Sequence, residues 1–175
     1  MKLLKLLYEK KHGAPAPYYY NYSICTVIAK PIRKWLTNTV AAACPFNCIR
    51  IFIYRLCGFK IGKNVFIGMH SYLDDMCHEL LTIGNNVTIS YGVYFACHGK
   101  NQGHYPITVK DNVYIGMRAS VISKNADKDA VPENGVTIHE NAIVGACCLV
   151  NRDVPAGKVA VGIPCRIIEK RDSDE

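Results

Sequence analysis

Histidine and aspartate side chains are the residues of this chain best suited to move protons near neutral pH. Six histidines occur, at positions 12, 70, 78, 98, 104 and 139. A neutral imidazole can take a proton from an attacking hydroxyl or amine, because its ordinary pKa lies near neutrality. The adjacent carboxylates Asp74 and Asp75 could accept hydrogen bonds from hydroxyl groups or orient an imidazole, or they could be ordinary solvated turn residues.

Cysteine is abundant, with nine residues in the chain. No C-x-x-C pair occurs, which excludes a zinc ribbon and a thioredoxin motif. Cys147 and Cys148 are adjacent inside an apolar run and are typical of small buried residues in a reducing compartment, so we expect a cytoplasmic protein. Cys97 adjoins His98, but adjacent residues on a strand point to opposite faces, which argues against a Cys–His pair.

Composition and charge restrict the classes of partner. The chain has 175 residues, of which 50% are hydrophobic, and this is enough for one domain with a substantial core. Its net charge of +7 indicates a basic face. Such a face suits an anionic ligand or an acidic membrane surface. The basic residues are not gathered into a run interleaved with aromatic residues, so we do not expect a nucleic acid partner.

The N-terminal part is basic and is interpreted as helical and irregular. Residues 1–11 lack the long apolar region and the cleavage site of a signal peptide. Residues 33–56 are predicted to be helical, with a break at Pro45. Polar residues interrupt the apolar stretch between Trp35 and Leu56, which excludes a clean membrane span. An interfacial helix is left open, although we do not expect membrane contact.

A period of six residues begins at residue 61 and decides the fold. Twelve positions in four groups of three are aliphatic or Phe: Ile61, Ile67, Leu73; Ile83, Ile89, Phe95; Val109, Ile115, Val121; and Ile138, Val144, Val150. Small residues usually follow four positions later, and Gly or Asn lies between. This period indicates a short strand and a turn, repeated, with the large residue inside and with Gly and Asn giving the turn its backbone freedom.

The grouping in threes predicts a triangular coil whose strands pair in parallel with those of the next coil. The steps between groups, from 73 to 83, 95 to 109 and 121 to 138, all exceed six. Extra residues are therefore inserted after the third strand of each coil, so all three insertions must leave at one corner. A β-sandwich with accidental spacing would not produce this regularity.

The stretch from Ile61 to Ile168 resembles the hexapeptide-repeat acyltransferases, in particular the maltose, galactoside and capsule-polysaccharide O-acetyltransferases. The motifs that carry the resemblance are ITVKDNVYIG (107–116), VTIHENAIVGA (136–146) and VNRDVPAGKVAVGIPCRII (150–168). The resemblance implies an all-β, left-handed parallel β-helix with an N-terminal helical segment. We expect a helical and irregular part at 1–60, the β-helix at 61–168 and a charged tail at 169–175.

The resemblance also implies acetyl transfer from acetyl-CoA to a hydroxyl or amine of a sugar-like acceptor, without a metal. His98, at the mouth of the insertion 99–106, matches the segment that holds the family's general base. His104 is similar to a functional histidine of the serine acetyltransferases and is the second candidate, or a residue that shapes the acceptor site. Asp75, and with it Asp74, is implied to bind the acceptor.

The cofactor contacts implied by the resemblance are mostly backbone groups. Met117 follows an Ile-Gly turn, and its amide is expected to face the thioester carbonyl. Four further residues are expected near acetyl-CoA: Ala146, Asn151, Arg152 and Arg166. Asn151 and Arg152 replace the family's usual Thr-Lys. Arg166 matches the family's phosphate-binding arginine, but Glu169 stands where the family usually has a second basic residue, so this chain departs from the family at the phosphate contact.

Several alternatives stay open at this point. The resemblance also implies a homotrimer and, as the setting, bacterial cell-surface polysaccharide modification in the cytoplasm. Serine-acetyltransferase-like and antibiotic-modifying activities compete with sugar acetylation. A γ-type carbonic anhydrase would need three histidines converging on zinc, and a non-catalytic β-helix scaffold would need no acetyl-CoA.

Overall fold

The computed structural model describes residues 2–98, 104–123 and 135–170 and divides into two compact units, residues 1–35 and 36–175. The first unit holds α1 (Lys2–His12), a 3₁₀ turn (Tyr18–Asn21) and α2 (Ile24–Trp35). Helix α2 begins where the Thr26 amide donates to Ser23 Oγ at 3.1 Å, an N-cap bond. None of the helices in the described ranges has the length and apolar content that crossing a bilayer requires.

The second unit opens with a π-helical turn (Leu36–Ala41) and α3 (Asn47–Leu56). The helical N-terminal segment is thus confirmed, and the helix is interrupted around Pro45 as predicted. The predicted limit at residue 60 lies inside this unit, because α3 packs directly against the two strands of the first coil, Lys60–Ile61 and Phe66–Ile67.

The strands of the described ranges are short and follow one another around a prism. In chain order they are β1 (Lys60–Ile61), β2 (Phe66–Ile67), β3 (Leu81–Ile83), β4 (Thr88–Ile89), β5 (Tyr94–Ala96), β6 (Ile107–Val109), β7 (Tyr114–Ile115), β8 (Ser120–Ile122), β9 (Val136–Ile138), β10 (Ile143–Val144), β11 (Leu149–Val150), β12 (Val159–Val161) and β13 (Arg166–Ile168). A 3₁₀ turn (His78–Leu80) precedes β3.

Three sheets form the three faces of the prism. The first is β1-β3-β6-β9, the second is β2-β4-β7-β10-β12-β13, and the third is β5-β8-β11, with Tyr72 bridged to Tyr94 below β5. All ladders are parallel except the last, where β13 folds back antiparallel on β12. The pairs Ile83 with Val109 and Ile89 with Ile115 are in the register that the sixfold period predicts. The predicted parallel β-helix is therefore confirmed.

The core runs along the axis of the prism. Eleven of the twelve periodic apolar residues are buried, and Ile61, at the open end of the first coil, is partly buried. The small residues at the bends, such as Val87, Val113, Ala119 and Cys148, are buried with them. Each coil therefore buries the apolar edge of its neighbour, which makes stacking the source of stability in this fold.

The turns use asparagine and glycine for two different reasons. At the corner between the first and second sheets, Asn64, Asn86, Asn112 and Asn141 all have φ between 53° and 58°, the left-handed conformation that asparagine tolerates. The prediction that glycine also supplies turn freedom is wrong for Gly116. That glycine has an ordinary φ, but an added Cβ would lie 2.6 Å from the Ala146 amide nitrogen of the next coil. Glycine is needed there for close approach of two coils.

Helix α3 covers the open edge of the first coil. The Asn47 side chain accepts from the Ile67 amide at 3.1 Å and donates to the Val65 carbonyl at 3.0 Å. The buried Arg50 guanidinium donates to the Ile67 carbonyl at 2.7 Å and also to the Cys44 carbonyl. These bonds replace the partners that a preceding coil would supply, and they close an edge that would otherwise pair with another chain.

Candidate active site

The longest insertions leave the prism between the third and first sheets, as predicted. We call this edge the insertion corner; its described parts are residues 74–80, 97–98, 104–106 and 151–153 together with Ser123 and Gly135. The other two edges are the regular corners, between the first and second and between the second and third sheets. Most of the insertions 99–106 and 123–135 lie outside the described residues. The candidate site is built on what the insertion corner brings together.

Asp74 and His98 form a hydrogen-bonded pair at this corner. His98 Nδ1 lies 2.6 Å from Asp74 Oδ2, joining the turns that follow the third strand positions of the first and second coils. Asp74 Oδ2 also accepts from the Cys97 amide at 2.8 Å and the His98 amide at 3.2 Å, and Oδ1 accepts from the Met76 amide at 3.1 Å. These donors hold the carboxylate rigidly and compensate for its burial.

The pair has the geometry of an oriented general base. The Asp74 side chain is completely buried, whereas the His98 side chain keeps 34% of its surface exposed. A carboxylate that accepts from Nδ1 places the imidazole proton there and leaves Nε2 as the basic nitrogen. Of the two predicted functions of Asp74, orienting the imidazole fits this placement. Direct binding of an acceptor does not fit, because Asp74 exposes no surface.

Asp75 lies next to the pair and belongs to a second set of polar contacts. Its Oδ1 accepts from Tyr72 Oη at 3.2 Å and from Asn38 Nδ2 at 3.1 Å. The Tyr72 ring stacks on Tyr94 with centroids 4.6 Å apart and an interplanar angle of 14°. Burial, together with Asp74 and Asp75, raises the pKa of Tyr72 far above its ordinary value, so its hydroxyl remains a donor.

Sequence reasoning missed Tyr72, Tyr94 and Asn38. The two tyrosines were detectable, because each directly precedes the third inward residue of its coil and must point outward from the same face. Asn38 lies 37 residues before Asp75, in a part of the chain without the repeat, and no sequence signal links them.

His104 lies in the same corner but contacts different groups. Its backbone bridges His98, and its Nδ1 is 3.0 Å from the Sγ atom of the buried Cys77. Cys97 is also buried, and burial first and Asp74 second raise the pKa of its thiol to about 12. A thiol with such a pKa is protonated at neutral pH, which agrees with the view that Cys97 is no nucleophile.

The five residues predicted to contact the cofactor lie in different parts of the prism. Met117 and Ala146 lie at the regular corner between the second and third sheets, where the Cys147 amide donates to the Met117 carbonyl at 2.9 Å. Asn151 and Arg152 follow β11 at the insertion corner, and Arg166 opens β13. Asn151 Oδ1 is buried and has no hydrogen-bond partner among the described residues. One chain therefore does not bring Met117 and His98 together, since the whole third face separates them.

A β-helix can also support zinc chemistry, which needs several histidine, cysteine or carboxylate side chains around one ion. Among the described ranges, no three His, Cys, Asp or Glu side chains are placed to hold one ion. His98 and His104, the closest pair of histidines in sequence, face Asp74 and Cys77 respectively.

Comparison with known proteins finds relatives that are named as acetyltransferases. The chain is 33% identical over 132 residues to the galactoside O-acetyltransferase of Escherichia coli K12, a match that covers 67% of this chain and 60% of that protein. The chain is also 34% identical to an acetyltransferase of Staphylococcus aureus, and this match covers 56% of that protein. The chain thus spans less than two thirds of the length of these curated relatives. No family model matches the chain.

Solved structures agree on the fold over nearly the whole chain. A maltose O-acetyltransferase of Clostridium difficile superposes with a TM-score of 0.58 at 25% identity, covering 93% of this chain and 95% of that one. A hexapeptide-repeat acetyltransferase of Vibrio cholerae, solved with acetyl-CoA, has a TM-score of 0.64 at 21% identity, with coverage of 93% and 97%. The predicted left-handed β-helix is the fold of these structures.

Proposed function

Because this chain belongs to the hexapeptide-repeat acyltransferases, we propose that it transfers an acetyl group from acetyl-CoA to a hydroxyl of a sugar-like acceptor. The observation that carries the proposal is the 2.6 Å bond between buried Asp74 and half-exposed His98. It prepares one imidazole nitrogen as a base at the corner where the insertions leave the prism.

The reaction follows from that geometry. His98 Nε2 removes the proton of the acceptor hydroxyl as its oxygen attacks the thioester carbonyl carbon. The tetrahedral intermediate carries a negative oxygen, for which we propose the Met117 amide as donor. Collapse breaks the C–S bond, and the imidazolium returns the proton to the CoA thiolate. Asp74 stabilises the imidazolium and fixes its ring, so it is a positioning residue in this scheme.

The acceptor site that we propose adjoins this base. Tyr72 and Tyr94 present a stacked aromatic pair, of which Tyr94 is 39% exposed. Aromatic faces suit the C–H faces of a sugar ring. Asp75, which unlike Asp74 keeps 6% of its surface exposed, and the neighbouring hydroxyl of Tyr72 suit the sugar's hydroxyl groups. Galactoside O-acetylation by the Escherichia coli relative supports a sugar as the class of acceptor.

We further propose a homotrimer, in which the insertion corner of one subunit meets the Met117 corner of its neighbour. The support is topological: in one chain these groups lie a whole face apart. Acetyl-CoA would then lie between subunits, near Ala146, Asn151 and Arg152, with Arg166 toward its phosphates. The native mass should be three times the 19.5 kDa of one chain, which sedimentation equilibrium measures.

The cellular setting that we propose is bacterial surface-polysaccharide modification in the cytoplasm. The support is that none of the nine cysteines, all of which lie in the described ranges, forms a disulfide. Such a set of thiols suits a reducing compartment.

Thiol release from acetyl-CoA with a panel of sugars and amines tests the activity. Wild type should release CoA only with an acceptor, and His98→Ala should be slower by at least about a hundredfold. His139→Ala is the matched control, since His139 lies at a regular corner and its amide bonds to the Val154 carbonyl. Full activity of His98→Ala together with loss in His104→Ala would move the base to His104. No release with any acceptor would overturn the proposed activity.

A further inference from the structure

The first unit concentrates the charge of the protein. Residues 1–35 contain seven of the 21 lysines and arginines and one of the 14 acidic residues, and so carry six of the seven net positive charges. The β-helix and α3 together are almost neutral. Charge of this density over two short helices attracts anionic surfaces, and the attraction is screened within about 8 Å at physiological ionic strength.

Helix α2 carries an apolar face that the rest of its own unit, residues 1–35, leaves exposed. None of its twelve residues is buried. At 100° per residue its large apolar side chains fall on one side of the helix, and each is more than 40% exposed: Ile24, Val27, Ile28, Ile32 and Trp35. Lys30, Arg33 and Lys34 lie on the remaining sides, and Lys30 also contacts the Tyr22 ring, with Nζ 3.8 Å from its centroid.

The positive charge of residues 1–35 and the exposed apolar side of α2 together indicate which kind of partner binds this side of the helix. A second copy of the unit would bring like charges together, which opposes self-association through this face. A purely ionic partner would leave the apolar side chains in water. An anionic lipid surface satisfies both, because isoleucine and tryptophan enter the acyl boundary while lysine and arginine meet the headgroups.

We propose that α2, supported by the basic residues of α1, is an interfacial helix that binds the protein to anionic membranes. Twelve residues make a helix about 18 Å long, too short to cross a bilayer but long enough to lie in its surface. This proposal departs from the sequence-based expectation of no membrane contact, because the large apolar side chains of α2 are exposed within residues 1–35.

Trp35, the single tryptophan of the chain, is a built-in reporter. Its emission should shift to shorter wavelength when the full chain meets vesicles with about 30% phosphatidylglycerol in phosphatidylcholine, at about 0.1 M NaCl. The protein should cosediment with these anionic vesicles. The bound fraction should be at least about tenfold lower with vesicles of phosphatidylcholine alone, and it should also fall when the anionic vesicles are tested at about 0.5 M NaCl.

Two neighbouring substitutions separate the apolar face from charge alone. Ile28→Glu places a carboxylate on the apolar face, whereas Ala29→Glu adds the same carboxylate away from it. Ile28→Glu should weaken vesicle binding at least about tenfold and Ala29→Glu less than about threefold. Circular dichroism of both variants checks that the helices form, and acetyl transfer to a soluble acceptor should be unchanged in both, which separates this test from that of the enzymatic proposal.

Three results would overturn the membrane proposal. One is the absence of both cosedimentation and a Trp35 shift with anionic vesicles. Another is equal weakening by Ile28→Glu and Ala29→Glu, which would leave only charge attraction. The third is a Trp35 shift that depends on protein concentration without vesicles, which would assign the face to a second copy of the chain.

Discussion

The regular corners and the insertion corner of the prism are built on opposite principles. At the regular corner between the first and second sheets, each coil repeats an asparagine with positive φ, and the side chains form a ladder in which Asn64 donates to Asn86 at 3.2 Å and Asn86 to Asn112 at 3.1 Å. At the insertion corner the number of inserted residues differs from coil to coil, and this is where Asp74 meets His98. Repetition supplies the frame, and the candidate chemistry lies where repetition stops.

Breaking the pair at the insertion corner should have the largest effect. In Asp74→Asn a neutral amide replaces the carboxylate, so the negative charge that stabilises the His98 imidazolium is lost. An amide nitrogen in place of Oδ2 would also oppose the Cys97 and His98 amides that donate there. We expect the turnover rate to fall about a thousandfold, by analogy with triads in which the carboxylate is replaced. Steady-state kinetics beside thermal unfolding checks this. A rate within about threefold of wild type would show that Asp74 does not position the base.

The next largest effect, on the free energy of unfolding, is expected from a substitution at a regular corner where two coils approach closely. In Gly116→Ala the new Cβ meets backbone atoms of the next coil, so the coils must separate, at a cost of about 2–4 kcal/mol in the free energy of unfolding. In Gly145→Ala the nearest atom is Val161 Cγ1 at 3.0 Å, a side chain that can move, and we expect about 1 kcal/mol. Chemical denaturation should give this order, and equal losses would contradict it.

The asparagine ladder should contribute less. Asn112→Ala puts alanine at a φ of 58° and removes a rung of the ladder, so we expect a loss of about 1–2 kcal/mol. Asn112→Gly removes the same rung but accepts this conformation, so it should cost less than the alanine variant. If both variants lose the same free energy of unfolding, the ladder bonds and not the backbone conformation explain the choice of asparagine.

The smallest effect is expected for Cys97→Ala, beside the proposed base. The pKa of Cys97 is raised to about 12, so its thiol is protonated throughout the range where His98 works. The bond from residue 97 to Asp74 comes from the backbone amide and survives the substitution. Turnover should stay within about threefold of wild type, and the pH–rate profile should be superimposable. A loss comparable to that of His98→Ala would mean that the thiol takes part.

The sequence by itself determined the coil, its register, the buried residues, the asparagine turns and the corner from which the insertions leave. These features depend on short repeated spacings, and a period of six leaves one face inward whatever the rest of the chain does. It also indicated His98 and the two aspartates. It did not tell which carboxylate orients the imidazole and which faces the tyrosines.

Tertiary structure decided which aspartate contacts the imidazole, because Asp74 and His98 are 24 residues apart and meet only when two non-repeating turns stack. It also decided that glycine at position 116 serves coil contact, that Met117 lies a face away from His98, and that the apolar side of α2 is left exposed within residues 1–35. Each of these depends on which surfaces pack together, a property of the folded chain that local spacing does not encode.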